Sequence, residues 1–190
     1  MTQEYFPLLT THQDYPEALI SSIDQATDRI LLETMVLDDS GEMANILDAV
    51  ARARQRGVSV LIIYDKYTDI GEAIDKTPQQ SDRFQARLGQ LATDGTDIRR
   101  VGKSRLNPFA GRHHAKAVVV DNTSYIGGGV NLTGGSFNTN DYMLQFNNQK
   151  ISNCLYNKLP GKAEARDRDE VLYSDDTTEI LLDAGRPGES

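Results

Sequence analysis

Side chains able to hold and attack a phosphate group lie within one short stretch of this chain, between residues 114 and 131. The stretch contains, in order, His114, Lys116, Asp121, Gly128, Gly129 and Asn131. An unperturbed imidazole titrates near pH 6.5, so a neutral nitrogen of His114 is a competent nucleophile toward phosphorus near neutral pH. Lys116 and Asn131 can donate hydrogen bonds to non-bridging oxygens and stabilise the charge that develops there.

The alternation of side chains along a strand divides these groups by role. The apolar run at residues 115–120 predicts a strand. On a strand, His114 and Lys116 point to one face, whereas Asp121, an odd number of positions further on, points to the other. We therefore expect His114 and Lys116 to share one phosphate, and Asp121 to form turn or core hydrogen bonds. The glycines at 127–129 permit a tight bend or a close backbone approach.

The spacing H-x-K-x(4)-D followed by G-G-x-N resembles the signature of the phospholipase D superfamily. His114, Lys116, Asp121, Gly128 and Asn131 match it, and Gly129 stands where serine is usual. Residues 29–34 and 51–58 are also similar to the N-terminal half of bacterial cardiolipin synthase-like proteins, so the resemblance covers roughly residues 4–150. Family members usually carry the motif twice, and this sequence carries it once.

The resemblance implies attack by His114 on a phosphodiester, a phosphohistidine intermediate and transfer to water or an alcohol. It also implies that Asp141, or the Asn138–Asn140 segment beside it, orients the imidazole. The leaving alkoxide needs a proton, which one histidine cannot readily supply while acting as nucleophile. In the family a second motif supplies that acid, and His113, predicted on the opposite strand face, is a poor substitute.

Three further residues are candidates for substrate contacts: Glu33 at a strand end, Arg112 in a basic stretch and Thr133 after the motif. No metal-ligating pattern of His, Cys and carboxylates is evident, and the resemblance implies metal-independent chemistry without a cofactor.

Composition restricts the class of protein. A chain of 190 residues suits one domain of ordinary size, and the single Cys154 excludes an internal disulfide and a cysteine-rich metal site. No segment has the apolar length of a membrane span, and the first four residues are too polar for a secretory signal. We therefore expect a protein that is cytoplasmic or peripheral to the membrane.

The charge distribution favours an anionic ligand at the motif. Nine acidic and three basic side chains between residues 163 and 190 account for six of the eight net negative charges. Between Asp97 and Asp121 there is no acidic residue. That interval holds six basic residues, Arg99, Arg100, Lys103, Arg105, Arg112 and Lys116. Either this basic stretch attracts the substrate, or it is an ordinary solvated loop.

The pattern of the whole chain predicts an α/β fold, with a mixed, largely parallel sheet flanked by helices on both faces. Strands are predicted at 5–9, 29–37, 58–64, 97–101, 115–120, 125–126 and 142–146, with helices after Asp14, after Ser40 and around Phe84 to Leu91. We expect a phospholipase D-like domain at 1–160, and at 161–190 an acidic linker followed by a strand near 178–183. That strand suggests that the chain is the first half of a two-motif protein, cut just inside the second half.

Three functions remain open. The first is a phosphodiester-cleaving or phosphatidyl-transferring half that acts on a phospholipid or another phosphodiester, with the second motif supplied in cis. The second is a one-motif endonuclease that completes its site by homodimerisation, although the net charge of −8 opposes nucleic-acid binding. The third is a catalytically incomplete module that binds phosphate without turnover.

Overall fold

The computed structural model describes residues 8–69, 76–102, 113–160 and 169–182. Its strands are β1 (Leu8–Thr11), β2 (Arg29–Thr34), β3 (Ser59–Asp65), β4 (Asp97–Val101), β5 (Ala117–Val120), β6 (Thr123–Ile126), β7 (Tyr142–Asn147), β8 (Glu170–Ser174) and β9 (Glu179–Leu182). Its helices of ten residues or more are α1 (Tyr15–Gln25), α2 (Glu42–Gln55), α3 (Pro78–Thr93) and α4 (Gln149–Lys158).

A seven-stranded sheet forms the centre of the fold, in the order β1-β7-β6-β5-β2-β3-β4. β2, β3 and β4 pair in parallel, and the other four ladders are antiparallel. Five of the seven strands, β1 to β4 and β6, therefore run in one direction, and β5 and β7 run in the other. The predicted mixed sheet is confirmed.

Each face of the sheet has its own apolar core, because β2, β3 and β5 each contain a continuous apolar run, so that successive side chains are apolar on both faces. Ile30 and Leu32 face α1, α2 and α3 in the larger cluster. Leu31 between them faces the opposite side, where Leu155 of α4 and Leu172 of β8 pack. The expectation of helices on both faces is therefore confirmed.

Local sequence explains where the helices begin and end. Thr77 and Gln80 form a capping box at the start of α3, and Pro78 occupies its first turn. Asn148 caps α4 by accepting hydrogen bonds from the backbone of Lys150 and Ile151. α2 stops before Gly57, whose φ of 90° lies in the left-handed region that glycine adopts without strain.

Several observed elements differ from the predicted ones. The motif strand begins at Ala117, not at residue 115, and β2 ends at Thr34, not at residue 37. α4 was not predicted because its buried apolar face consists only of Ile151 and Leu155. The predicted strand near 178–183 is observed as β9, and it pairs with β8, which the charged sequence around residue 170 concealed.

The hairpin of β8 and β9 folds back onto the sheet instead of extending away as a linker. Leu172 is 2% exposed in the core on the α4 side, and its carbonyl accepts a hydrogen bond from Lys158 Nζ at 2.9 Å. The first part of the predicted acidic linker, residues 161–168, and the end of the chain, residues 183–190, lie outside the described residues. Among the described helices, none is long and apolar enough to cross a bilayer.

Candidate active site

The motif lies at one end of two inner strands of the sheet, where β2 ends and β5 begins. Ala117 pairs with Glu33, and because β5 runs antiparallel to β2, the residues before Ala117 continue past the end of β2. Residues 113–116 have no regular secondary structure. The strand on which His114 and Lys116 were expected to alternate therefore does not extend to them.

His114 and Lys116 are nevertheless close together. Lys116 Nζ lies 3.3 Å from His114 Nδ1 and 3.4 Å from its Nε2, and it also donates to the His114 carbonyl at 3.2 Å. The expected proximity of the two side chains is observed, although the segment that carries them, residues 113–116, is not part of a strand. A cation and an imidazole in contact can engage the same phosphate.

The electrostatic surroundings favour a neutral imidazole at His114. Partial burial lowers the pKa of His114 below its ordinary value, and the charges of Lys116 and His113 lower it further. Burial also lowers the pKa of Lys116, while the carboxylate of Asp141 opposes that shift. The imidazole is therefore available as a nucleophile at a lower pH than an isolated histidine would be.

His113 has a different role from the histidine that follows it. Its side chain is fully buried, and its Nε2 lies 2.8 Å from Oε1 of Glu33, which is also fully buried. The backbone N–H of His113 donates to Asp65 Oδ2 at 2.6 Å. These contacts brace the chain directly before His114. A residue enclosed in this way is a poor proton donor for a substrate held at His114.

The same contacts change the interpretation of Glu33. We expected this carboxylate to be a possible substrate contact because it lies near the end of β2. Its side chain is instead 0% exposed and packed against His113. Burial removes Glu33 from the surface on which His114 lies, so its described surroundings favour a supporting role beneath the motif.

Asp65, at the end of β3, holds three segments together. Its carboxylate accepts from the backbone N–H of His113 and of Tyr67, each at 2.6 Å. Gly102, just after β4, approaches so closely that a Cβ there would overlap the carboxylate. The sequence alone does not reveal this bracing role of Asp65, because His113 and Gly102 are distant from it in the chain.

Asn131 is positioned by the end of β2. Its Oδ1 accepts from Thr34 Oγ1 at 3.3 Å and from the backbone N–H of Val36 at 3.4 Å. Thr34 Oγ1 also accepts from the backbone N–H of Leu132 at 3.3 Å. No described residue accepts a hydrogen bond from Asn131 Nδ2, which leaves this group able to donate to a phosphate oxygen. This role of Thr34 was not predicted, because its partners Asn131 and Leu132 lie almost 100 residues further along the chain.

The glycines before Asn131 are required by close packing against the start of β7. A Cβ on Gly128 would overlap the Tyr142 carbonyl, and a Cβ on Gly129 would overlap the Asp141 carboxylate. Asp141 Oδ1 accepts from the backbone N–H of Gly129 at 3.1 Å and of Tyr142 at 2.8 Å. This packing accounts for glycine at 129, where the resembled family usually has serine.

Asp141 therefore occupies a different position from the one expected of a histidine-orienting group. Its described hydrogen bonds go to the backbone, and none joins it to His114. Its charge acts on Lys116. The neighbouring Asn138 donates from Nδ2 to the Gly134 carbonyl at 2.9 Å, which also engages it away from the imidazole.

Asp121 ties the end of β5 to the loop before β2. Its carboxylate accepts from the backbone N–H groups of Thr27, Asp28 and Arg29 at 2.9 to 3.1 Å, and from Thr27 Oγ1 at 3.1 Å. Its φ of 48° is in the left-handed region, which places it in the turn after the strand. These contacts support the structural role expected of the motif aspartate.

The remaining candidates divide into two groups. Thr133 Oγ1 donates to Ser136 Oγ at 2.8 Å and accepts from its N–H at 3.1 Å, so its hydroxyl stabilises a turn. Arg112 lies outside the described residues, as do Lys103 and Arg105 of the basic stretch. Within that stretch, Arg99 pairs with Asp97 and Arg100 with Asp69.

Metal binding has no visible basis in the part of the chain that the structure describes. Within residues 8–69, 76–102, 113–160 and 169–182, no group of three or more His, Cys, Asp or Glu side chains is arranged to hold a metal ion.

Comparison with known protein families adds independent information. The family described as cardiolipin synthase, PLD-like domain, matches residues 19–159. Cardiolipin synthase B of Salmonella typhimurium is 30% identical over 169 residues, covering 81% of this chain and 38% of that protein. Cardiolipin synthase B of Escherichia coli is 28% identical over 176 residues, covering 84% and 39%. The chain thus spans about two fifths of the length of these relatives.

Solved structures share the fold. NucT from Helicobacter pylori superposes with a TM-score of 0.59 at 19% identity, covering 78% of this chain and 89% of that one. Nuc from Salmonella typhimurium, a phospholipase D family member, superposes with a TM-score of 0.56 at 21% identity, covering 80% of this chain and 90% of that one. Phosphatidylserine synthase of Haemophilus influenzae superposes with a TM-score of 0.62 at 16% identity, covering 83% of this chain and 37% of that one.

Proposed function

The chain belongs to the cardiolipin synthase-type family of phospholipase D-like domains, and from that premise we propose that it is one half of a phosphodiester-cleaving or phosphatidyl-transferring site. His114 is the nucleophile, and a second H-x-K-x(4)-D motif completes the site. The observation that carries the proposal is the contact between Lys116 Nζ and the His114 ring, directly before β5. This contact supports the proposal, because an imidazole and an ammonium so close together can both reach one phosphate group.

The first step of the proposed reaction forms a phosphohistidine. A neutral ring nitrogen of His114 attacks phosphorus, a P–N bond forms and the bond from phosphorus to the leaving oxygen breaks. Lys116 and the Nδ2 group of Asn131 donate to the non-bridging oxygens, where negative charge accumulates. In the second step, water or an alcohol attacks phosphorus, the P–N bond breaks, and the incoming oxygen passes its proton to the group that protonated the leaving oxygen in the first step.

The leaving oxygen needs a proton in the first step, and this requirement makes the site incomplete. His113 is enclosed against Glu33. His12 follows β1, and its backbone N–H donates to the Asp141 carbonyl at 3.1 Å. β7 and β6 lie between β1 and β5, so three strand spacings, on the order of 14 Å, separate β1 from the strand that follows His114. Neither histidine fits the role of general acid, and a second motif, in cis or from a second copy, would supply one.

Trapping the intermediate tests the proposal. The whole chain is incubated with a phosphodiester that carries a radioactive phosphorus atom, quenched in alkali and digested, and the labelled peptide is sequenced. Label is expected on His114 and should be lost in His114→Ala. His12→Ala is the matched control and should keep the label. A folded wild-type protein that is never labelled, even when a complete second half is added, would contradict the proposal.

A second function has one observation in its favour. The chain covers 89% and 90% of the two Nuc proteins, against about two fifths of the cardiolipin synthases. This match in size fits a one-motif endonuclease in which two copies form one site. A sizing column distinguishes the two functions, because an obligate homodimer does not elute as a monomer. Mixing His114→Ala with wild type would then lower the activity per wild-type chain.

A further inference from the structure

A single residue of β2, Glu33, contacts the chain on both sides of residues 114–116. It pairs with Ala117 in the antiparallel ladder of β2 and β5, and its side-chain Oε1 lies 2.8 Å from Nε2 of His113. Residues 114–116 lie between these two points and belong to no strand or helix. The candidate nucleophile and the candidate cation therefore project from a three-residue loop, residues 114–116, whose two ends both meet Glu33.

A loop this short takes its shape from its ends. Consecutive Cα atoms are about 3.8 Å apart, so three residues have little conformational freedom once the residues on either side are held. The contact between Lys116 Nζ and the His114 ring is made within this loop. Holding the ends of the loop therefore also holds the distance between these two side chains.

His113, at the first end of the loop, is held through both its side chain and its backbone. Its ring meets Glu33, and its backbone N–H donates to Asp65 Oδ2 at 2.6 Å. Glu33 is level with Ile63 in the parallel ladder of β2 and β3, and Asp65 lies two residues further along β3. The two carboxylates therefore face the same side of the sheet. His113, Glu33 and Asp65 are all 0% exposed, so water does not compete for these contacts.

The contact between His113 and Glu33 is mainly one of charge. Neither ring nitrogen of His113 makes a directed hydrogen bond to a described residue, although Nε2 lies within ion-pair distance of the carboxylate. Attraction between an imidazolium and a carboxylate needs no aligned N–H bond, and burial protects it from screening by salt. The same charge reaches the nucleophile: after burial and the charge of Lys116, it is the third cause of the lowered His114 pKa.

We propose that Glu33 and His113 are positioning residues for the nucleophile, and that their buried contact fixes the loop from which His114 and Lys116 project. The inference rests on the proposed function, because it takes His114 as the nucleophile. It extends that function to two buried residues outside the motif. Since the pair acts on the geometry of attack and does not touch the ester, its loss should slow labelling without weakening ester binding.

The kinetics of labelling at His114 test this inference. The maximal rate and the ester concentration that gives half of it are measured for the whole chain, with a second half added if the wild type needs one. Glu33→Gln keeps the shape of the side chain and removes its charge, and His113→Gln removes the imidazole. Each should lower the maximal rate by about 10- to 100-fold and leave the half-saturating concentration unchanged. A wild-type maximal rate in both folded variants would overturn the inference.

The double variant Glu33→Gln/His113→Gln shows whether the two residues act as one unit. It should be slowed by about the same factor as the single variants, and not by the product of their factors. Each single change leaves a buried charged group without its partner, whereas the double change leaves neither, so it remains testable if a single variant does not fold. A wild-type rate or a multiplied loss in the double variant would contradict the proposed pair.

The matched control is Tyr125→Phe, at another fully buried residue. It removes a hydroxyl that contacts Ser22 Oγ at 2.8 Å on the α1 side of the sheet. The control should lower the free energy of unfolding and keep the wild-type labelling rate. If it slows labelling as much as Glu33→Gln does, the effect reflects a general loss of stability and the inference is wrong.

A measurement that needs no turnover separates this inference from the proposed function. In His113→Gln, loss of the neighbouring charge should raise the His114 pKa toward its ordinary value, whereas the control should leave it unchanged. Nuclear magnetic resonance titration of the ring protons measures both. If the wild type is never labelled, the proposed function fails and the titration decides alone. A raised pKa in His113→Gln then supports the action of the pair on His114, and an unchanged one overturns it.

Discussion

The Lys116 ammonium and the His114 imidazole affect each other's protonation, because they are in contact at a partly buried surface. Burial first, and then the cation, lowers the pKa of His114 below its ordinary value. When the pKa of a histidine is lowered, its ring stays neutral down to a lower pH. The nucleophilic form therefore persists in mildly acidic solution.

The pH dependence of labelling at His114 follows from this shift. We expect the acidic limb of phosphohistidine formation to lie below pH 6.5. In Lys116→Met, the His114 pKa should rise but stay below its ordinary value, because the cation is removed and the burial remains. Nuclear magnetic resonance titration of the ring protons measures this directly. Lys150→Met, at an exposed position of α4, is the control, and an unshifted His114 pKa in wild type would contradict the expectation.

Glycine at 129 and aspartate at 141 depend on each other, because a Cβ at 129 would overlap the Asp141 carboxylate. Gly129→Ser should lower the free energy of unfolding by about 1 to 3 kcal/mol. Asp141→Ala makes room for the new side chain, so the double variant should cost less than the sum of the two single changes. Chemical denaturation of the four proteins measures this coupling. Gly135→Ser is the control, since nothing lies within 4 Å of its added Cβ, and additive effects would refute the proposed contact.

At the scale of elements, the site depends on ties between strand ends. Thr34 at the end of β2 holds the Asn131 loop, and Asp65 at the end of β3 holds the chain before His114. Asp121 anchors the opposite end of β5 to the loop that enters β2. Side-chain contacts to the backbone therefore hold the chain on both sides of β5, the strand that follows His114 and Lys116. These contacts limit the movement of His114 relative to Asn131.

Replacing the anchor at Asp121 should weaken the fold in a pH-dependent way. Burial acts to raise the pKa of Asp121, but the hydrogen bonds from Arg29, Thr27 and Asp28 outweigh it, so the folded-state pKa is lowered. The stabilisation is therefore full above the unfolded-state pKa, near 4, and is lost as the pH falls through the lower folded value.

Asp121→Asn keeps the shape and tolerates the left-handed backbone, but it loses charged acceptors. We expect the free energy of unfolding to fall by about 2 kcal/mol at pH 7, with the difference from wild type shrinking below about pH 4. Denaturant titrations across this pH range provide the measurement. Asp28→Asn, at an exposed neighbouring side chain, is the control. A difference that does not change with pH would show that the carboxylate charge is not what stabilises the anchor.

At the scale of the whole molecule, the proposed reaction has a candidate nucleophile and candidate phosphate donors in the described residues, but no candidate acid. The need for an acid depends on the leaving group. An aryl oxide departs without protonation, whereas an alkoxide requires a proton. The monomer should therefore label His114 with an aryl phosphodiester at a rate close to that of a completed site, and label it far more slowly with an alkyl phosphodiester.

Comparing the two leaving groups at several protein concentrations tests this expectation. If a second copy completes the site, alkyl ester cleavage should rise with the square of the protein concentration at low concentration, while aryl ester labelling rises in proportion. If a separate second half completes it, only addition of that half should raise the alkyl rate. Equal rates for both esters in a monomer would show that the acid lies within this chain.

The sequence by itself determined the parts that depend on local chemistry. The alternation of strands and helices and the structural assignment of Asp121 followed from residue type and spacing. The same reasoning selected His114, Lys116 and Asn131 as the candidates for contacts with phosphate. Apolar runs such as residues 29–32 must be buried on both sides, which was enough to predict a sheet covered by helices on both faces.

Only the tertiary structure decided how those groups meet. Glu33 looked like a substrate contact until β2 and the motif came together and enclosed it against His113. Asp141 looked like a partner of His114 until its hydrogen bonds to the backbone of Gly129 and Tyr142 were visible. Spacing along a sequence reports which groups are neighbours in the chain, whereas burial and partnership depend on contacts between segments that only folding brings together.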